Sequence, residues 1–137
     1  MGSVRHLAVW VAAIAFFALG AVWYTVLARP WLAGIGKTME QLQAESGGSP
    51  LPYITGFLAI LVMCYLLAWL LGRLDAQTFA AGLRTGAAIG VGFIGAMLVL
   101  NYGFEARSPT LWLIYAGYAI VGLTIAGAII GGWKRHA

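Results

Sequence analysis

The sequence predicts an all-α integral membrane protein with four transmembrane helices. Three observations carry this. Hydrophobic residues make up 62% of the 137-residue chain and charged residues 9%, against roughly 45–50% and about 25% in soluble proteins. So few charges cannot cover a water-facing surface, so lipid must be the solvent for most of the chain. The apolar residues also fall into four long runs, and the turn-forming and charged residues collect between them. The length is that of one domain, residues 1–137,.

The first span is expected at residues 7–27, a charge-free run long enough to cross a core of ~30 Å. Arg5 ahead of it, and small residues at Ala18 and Gly20, also suit a signal peptide. The apolar part of such a peptide ends after about 7–15 residues, whereas this run continues through Val22, Trp23 and Tyr24 to Val26. Arg29-Pro30 is expected to stop the helix, because proline disfavours helix in the residue before it.

Residues 28–51 form the one long connection. Thr38-x-x-Gln41 is a capping-box pattern,, so a short helix is expected around residues 39–44, lying at the membrane interface beside Trp31. Gly47-Gly48-Ser49-Pro50 is a turn,. Ser49-Pro50 then reads as cap plus first helical residue of a second span at 51–71. Gly72-Arg73 closes that span, and Asp75 is placed to cap the third, at 79–100,. Arg84 falls inside the third span, with a stem long enough to return its charge to the headgroups. Ser108-Pro109 repeats the cap-plus-proline pattern ahead of a fourth span at 110–132, which ends on Trp133-Lys134-Arg135.

An even number of spans puts both termini on one side. Arg5, Arg73, Arg84, Lys134 and Arg135 share that side; Arg29, Lys37 and Arg107 share the other. The positive-inside rule makes the first side cytoplasmic. Trp23, Tyr24, Trp31, Tyr53, Tyr102 and Trp112 then suit the outer aromatic belt, and Trp10, Trp69 and Trp133 the inner one,. The net charge of +4 comes from single basic residues at span ends. This pattern fits orientation and lipid headgroups and gives no nucleic-acid surface.

Gly82-x-x-x-Gly86-x-x-x-Gly90 is the spacing of close-packed membrane helices, and the fourth span carries a counterpart in Gly122, Ala126, Gly127 and Gly131. Such faces serve contacts within a chain or between chains, and the sequence leaves both open. Gly90-Val91-Gly92-Phe93-Ile94-Gly95 matches the dinucleotide fingerprint, but it lacks the preceding strand and soluble βαβ setting that the fingerprint needs,.

No Asp, Glu, Lys or His is expected at mid-membrane, where coupled transporters usually keep one. Small multidrug transporters of similar size depend on a glutamate in their first helix, and this first span has none. His6 and His136 lie near the ends, and Cys64 is a lone thiol in an apolar run. No catalytic, cofactor or metal site is therefore expected. The densest polar cluster is Asn101, Tyr102, Glu105 and Arg107 at the outer end of the third span. Glu105 and Arg107 are spaced to pair, and Asn101 to satisfy free carbonyls where the helix ends. The cluster is either a polar hairpin or the mouth of a ligand site walled by Trp23, Tyr24 and Trp31.

Gly20-x-x-Trp23-Tyr24, Pro30-Trp31, Asn101-Tyr102-x-Phe104-Glu105-x-Arg107, Leu113-Ile114-x-x-Gly117-Tyr118 and Gly127-Ala128-Ile129-Ile130-Gly131-x-Trp133 together resemble the membrane family catalogued as domain of unknown function 1761 (DUF1761). Gly36-Lys37-Thr38-Met39-Glu40-Gln41-Leu42 matches its first loop more loosely. The resemblance implies a four-span bacterial membrane protein, and no activity.

The expectation is a non-enzymatic protein of the bacterial inner membrane, in contact with membrane lipids and assembled as a homo-oligomer or with a larger membrane-protein partner. Gly82, Gly86, Gly90, Gly127 and Gly131 would supply its helix contacts. The alternative is a small oligomeric channel or uncoupled transporter for a small solute, lined by Tyr115, Tyr118 and Thr124. An enzyme acting on lipids would need a nucleophile–base or metal constellation, which the sequence does not display.

Overall fold

The computed structural model describes residues 5–133, so Lys134, Arg135 and His136 lie outside the described residues. Among these, every regular element is helical. Four helices are long and apolar enough to cross a membrane: His6–Val26, Leu51–Arg73, Phe79–Glu105 and Pro109–Gly132.

The first, α1 (His6–Val26), ends where its apolar run ends, with the Leu27 amide on the Trp23 carbonyl. The chain does not then enter a loop. It turns at Leu27 and resumes as α2 (Ala28–Ile35). Pro30 therefore does not stop α1. It sits in the first turn of α2, where a missing amide hydrogen costs nothing. Gly36 closes α2 in the left-handed conformation, at φ 72°, which glycine adopts without Cβ strain. Next comes α3 (Met39–Ser46), opened by the expected capping box. The Gln41 amide donates to Thr38 Oγ1 at 3.1 Å, and the Thr38 amide donates to Gln41 Oε1 at 2.9 Å.

The second span, α4 (Leu51–Arg73), starts one residue later than the Ser49-Pro50 pattern implies. Pro50 is itself the cap, and Ser49 Oγ accepts from the Leu51 amide at 3.1 Å. Its end also differs from expectation. Gly72 is still helical, and Asp75 makes the reversal, with φ 55°. The Ala76 amide returns to the Leu71 carbonyl at 2.9 Å. Asp75 therefore closes α4 and does not cap the next helix. Thr78 does so, accepting from the Ala81 amide at 3.1 Å.

The third span has three parts: α5 (Phe79–Ile89), a π-helical turn (Gly90–Gly95) and α6 (Ala96–Glu105). In the π turn the Ala96 amide reaches back to the Val91 carbonyl, five residues away. The span runs to Glu105, five residues past the expected end. Ala106 closes it at φ 53°, with the Arg107 amide on the Tyr102 carbonyl at 3.0 Å. The last span, α7 (Pro109–Gly132), starts as expected, with Ser108 Oγ accepting from the Leu111 amide at 3.4 Å.

α7 is the hub, packing on α1, α2, α4 and α5, while α4 and α5 barely meet. The buried core cluster draws on α1 (Val9, Ala12, Ala13, Phe16), α4 (Ile60, Cys64, Leu67, Leu71) and α7 (Leu123, Ala126, Ile130). α5 contributes none, because the residues it turns inward, Gly82 and Gly86, have no side chain. Arg5 donates to the Trp133 carbonyl and, at 3.2 Å, to Gln77 Oε1. The two ends of the described chain thus share one end of the bundle with the α4–α5 connection. The opposite end is called distal below.

Candidate functional site

The five glycines singled out by spacing all lie where the third span meets α7. A Cβ added at Gly82 would overlap the Gly127 carbonyl, one at Gly86 the Leu123 carbonyl, and one at Gly131 the Thr78 carbonyl. At Gly90 it would lie 2.8 Å from the Ile120 Cα. Backbone meets backbone here, so dispersion contacts form that lipid cannot replace. Both faces meet within one chain.

A second contact, between α1 and α7, is reciprocal. Tyr118 Oη donates to the Phe16 carbonyl at 2.8 Å, passing over Gly20. An added Cβ at Gly20 would sit 2.6 Å from that oxygen. Trp23 Nε1 donates the other way, to the Ile114 carbonyl at 3.0 Å, passing over Gly117. A Cβ there would lie 2.9 Å from the indole ring. Each helix thus offers one glycine gap and one aromatic donor. The Gly20-x-x-Trp23 and Gly117-Tyr118 pairs are two halves of one clasp. Sequence reasoning quoted both pairs without seeing that they interlock, although a glycine beside an aromatic on each of two helices was a usable signal. Phe16 completes the clasp, edge-on to Tyr118 with ring centroids 5.2 Å apart and filling the gap at Gly122.

Above the clasp, at the distal end, the expected aromatic walls do gather. Tyr24 lies 5.1 Å from Trp31, 5.5 Å from Tyr118 and 6.2 Å from Tyr115, centroid to centroid. α2 places Trp31 over the group, its indole donating to Tyr115 Oη at 3.2 Å. Tyr102, the one buried residue of α6, meets Tyr115 edge-on at 6.2 Å. The Arg107 guanidinium covers the Tyr102 ring at 4.7 Å.

The polar half of the predicted site is arranged differently. Asn101 is helical, so it does not cap the third span, and it is exposed with no hydrogen bond to the aromatic group. Glu105 is the last residue of α6, exposed, with Arg107 3.7 Å away. Residues 101–105 of the loop that was to hold these groups are helix, and only Arg107 lies beyond its end. Asn101 and Glu105, one helical turn apart, therefore sit on the rim rather than in a mouth.

The hydroxyls of the alternative solute path are committed elsewhere. Tyr118 is held by Phe16, Tyr115 by Trp31, and Thr124 Oγ1 donates to the Ile120 carbonyl of its own helix at 2.6 Å. Among the described residues no three His, Cys, Asp or Glu side chains are grouped to hold a metal ion. The arrangement chemically offers aromatic faces and hydrogen bonds that fix helices against one another.

One polar contact was not anticipated. Trp112 Nε1 donates to the Gly95 carbonyl at 3.2 Å. The π turn spaces its backbone bonds at five residues, which leaves a carbonyl free for a side-chain donor. Here that donor comes from α7.

No curated protein and no solved structure matches the chain. Residues 7–131 match the family described as "Protein of unknown function (DUF1761)". That match takes in the clasp, both glycine faces and the aromatic cluster. The chain belongs to the DUF1761 family.

Proposed function

We propose that this chain is a non-enzymatic subunit of the bacterial inner membrane, with both termini cytoplasmic, that works by associating with a second copy or a larger membrane protein. The observation behind this reading is the distal half of the third span. Phe93 is 75% exposed and Phe104 89%, with Val91, Met97 and Leu100 also exposed. In α6 only Tyr102 is buried. Large aromatics directed outward from a loosely held half-helix suit a protein contact. With both glycine faces occupied internally, this face takes over the association role. α2 and α3 lie at the outer interface in this orientation, with Trp31 as anchor.

Polar chemistry inside the bundle is confined to hydrogen bonds that hold helices, and no buried side-chain polar atom among the described residues lacks a partner. This supports an assembly role. The channel reading is set lower, because its three lining hydroxyls already have partners inside the chain.

The test is native mass spectrometry of protein gently extracted from its own membranes, together with Phe104→Cys cross-linking in a Cys64→Ala background. A homo-oligomer or a defined complex, cross-linked through position 104, is the expected result. A monomer that resists cross-linking in intact membranes would remove the reading.

A further inference from the structure

Because α5 is drawn onto α7 and α4 packs on α1 and α7, a cleft of about 100 Å³ stays open between the second and third spans. Its floor is Leu67 and Leu123, both buried, and its walls are Met63 and Leu70 on α4 and Ile89 and Ile94 on the third span. Ile94 belongs to the π turn, which sets the far wall. The lining is aliphatic throughout.

Met63, Leu66, Leu70 and Arg73 recur along α4 at intervals of three, four and three residues. That spacing puts them on one helix face. The stripe that walls the cleft therefore ends in a cation. Arg73 is exposed, its guanidinium 5.8 Å from the Trp69 ring, and it pairs with no carboxylate among the described residues. An aliphatic cleft running toward an unpaired guanidinium beside an interfacial tryptophan complements one chemistry: a hydrocarbon tail joined to a phosphate.

We propose that this cleft is a phospholipid site, holding one acyl chain between the second and third spans with the lipid phosphate on Arg73. The inference rests on the membrane placement of the four spans and is independent of the association reading. Bilayer lipid is the apolar material at hand, and a flexible chain fits a narrow gap that a rigid ring would not. Anionic lipids are preferred, since Arg73 forms no ion pair with Asp75, the acid two residues on, among the described residues,.

The experiment is native mass spectrometry of the purified full-length protein, delipidated and then titrated with phosphatidylglycerol or phosphatidylcholine in detergent. Wild-type protein should retain one phosphatidylglycerol in preference to phosphatidylcholine. Leu66→Trp lays an indole across the cleft and should lower retention of both lipids about tenfold, the equivalent of a modest loss of contact energy. Arg73→Gln should weaken phosphatidylglycerol by about fivefold, in line with one basic residue at a membrane surface, and phosphatidylcholine, whose choline offsets its phosphate, by less. Leu58→Trp, exposed on the same helix and outside the cleft, controls for folding and should retain lipid as wild type does. Equal retention by wild type and Leu66→Trp would overturn the proposal. So would loss of a dimer rather than of lipid in Leu66→Trp, which would give the cleft to a second copy. Retention of phosphatidylglycerol by Arg73→Gln at the wild-type level would also overturn it.

Discussion

The two halves of the third span belong to one continuous apolar stretch, Phe79–Glu105, yet they are held in opposite ways. α5 turns Gly82 and Gly86 onto the α7 backbone, so close that a single added carbon has no room. α6 carries larger and more hydrophobic side chains, but it buries only Tyr102 and takes one indole hydrogen bond at its base. In water the larger side chains would be expected to pack inward. In lipid they gain nothing by it, since the tails are as apolar as they are, and closeness of approach decides instead. The π turn, Gly90–Gly95, is the border between the two regimes.

The contrast is broken most severely from the glycine side. Gly86→Leu should destabilise the bundle by more than about 3 kcal/mol, beyond ordinary overpacking, because the obstacle is a backbone carbonyl that cannot rotate away. A thermal melt followed by circular dichroism in detergent would show it. Survival of a wild-type melt would mean that the α5–α7 contact is looser than described.

Next comes the clasp. Gly20→Ala should cost about 1–3 kcal/mol by overpacking against Tyr118. Tyr118→Phe keeps the ring and loses the bond to the Phe16 carbonyl, for about 1 kcal/mol, as for other hydrogen bonds between membrane helices. If Tyr118→Phe proved as harmful as Gly20→Ala, the hydroxyl rather than the ring would be the clasp's main support.

Trp112→Phe should act on one half only. Global stability should fall by less than about 1 kcal/mol, the usual net worth of one hydrogen bond. Amide exchange should rise across residues 96–105 while residues 79–89 stay protected. Uniform acceleration along the whole span would show that the π turn does not separate the two halves.

The smallest effect should come from Glu105→Gln. This residue and Arg107 have side chains 57% and 41% exposed, 3.7 Å apart, so removing the pair should change stability by under about 0.5 kcal/mol. A larger loss would mean that the distal rim is better ordered than the exposed pair implies.

The four spans were legible because apolar length is a one-dimensional property, and the sequence carries it directly. The capping box at Thr38 and Gln41 and the cap at Ser108 were legible for a similar reason: both partners lie within three residues. The misplaced boundaries share a different cause. Asp75 and Ala106 adopt positive φ, a conformation that sequence rules reserve for glycine and asparagine. Gly72 stands near Asp75 and draws the eye instead, while it is helical. The π turn left no mark beyond a glycine-rich run that also suits plain helix packing. Of the three expected walls, Trp31 lies against Tyr24 while Trp23 lies against Tyr118, and Tyr115 and Tyr118, expected only as the lining of the alternative solute path, also adjoin Tyr24. Which way a tyrosine faces on an all-apolar helix is not written in periodicity, because such a helix has no polar side to mark its outside.

The hub position of α7 also bears on how the protein is made. It is the last of the four spans to leave the ribosome, and it supplies one side of both the glycine contact and the clasp. Until it arrives, α5 exposes a bare backbone groove and α1 has only its α4 contact. α1 and α4 can pair ahead of it, but the third span, which barely meets α4, must wait in the bilayer as a separate segment, as insertion ahead of association allows,. A nascent chain stalled before residue 109 would be fully inserted with its third span unpacked, and quality control would meet it in that state.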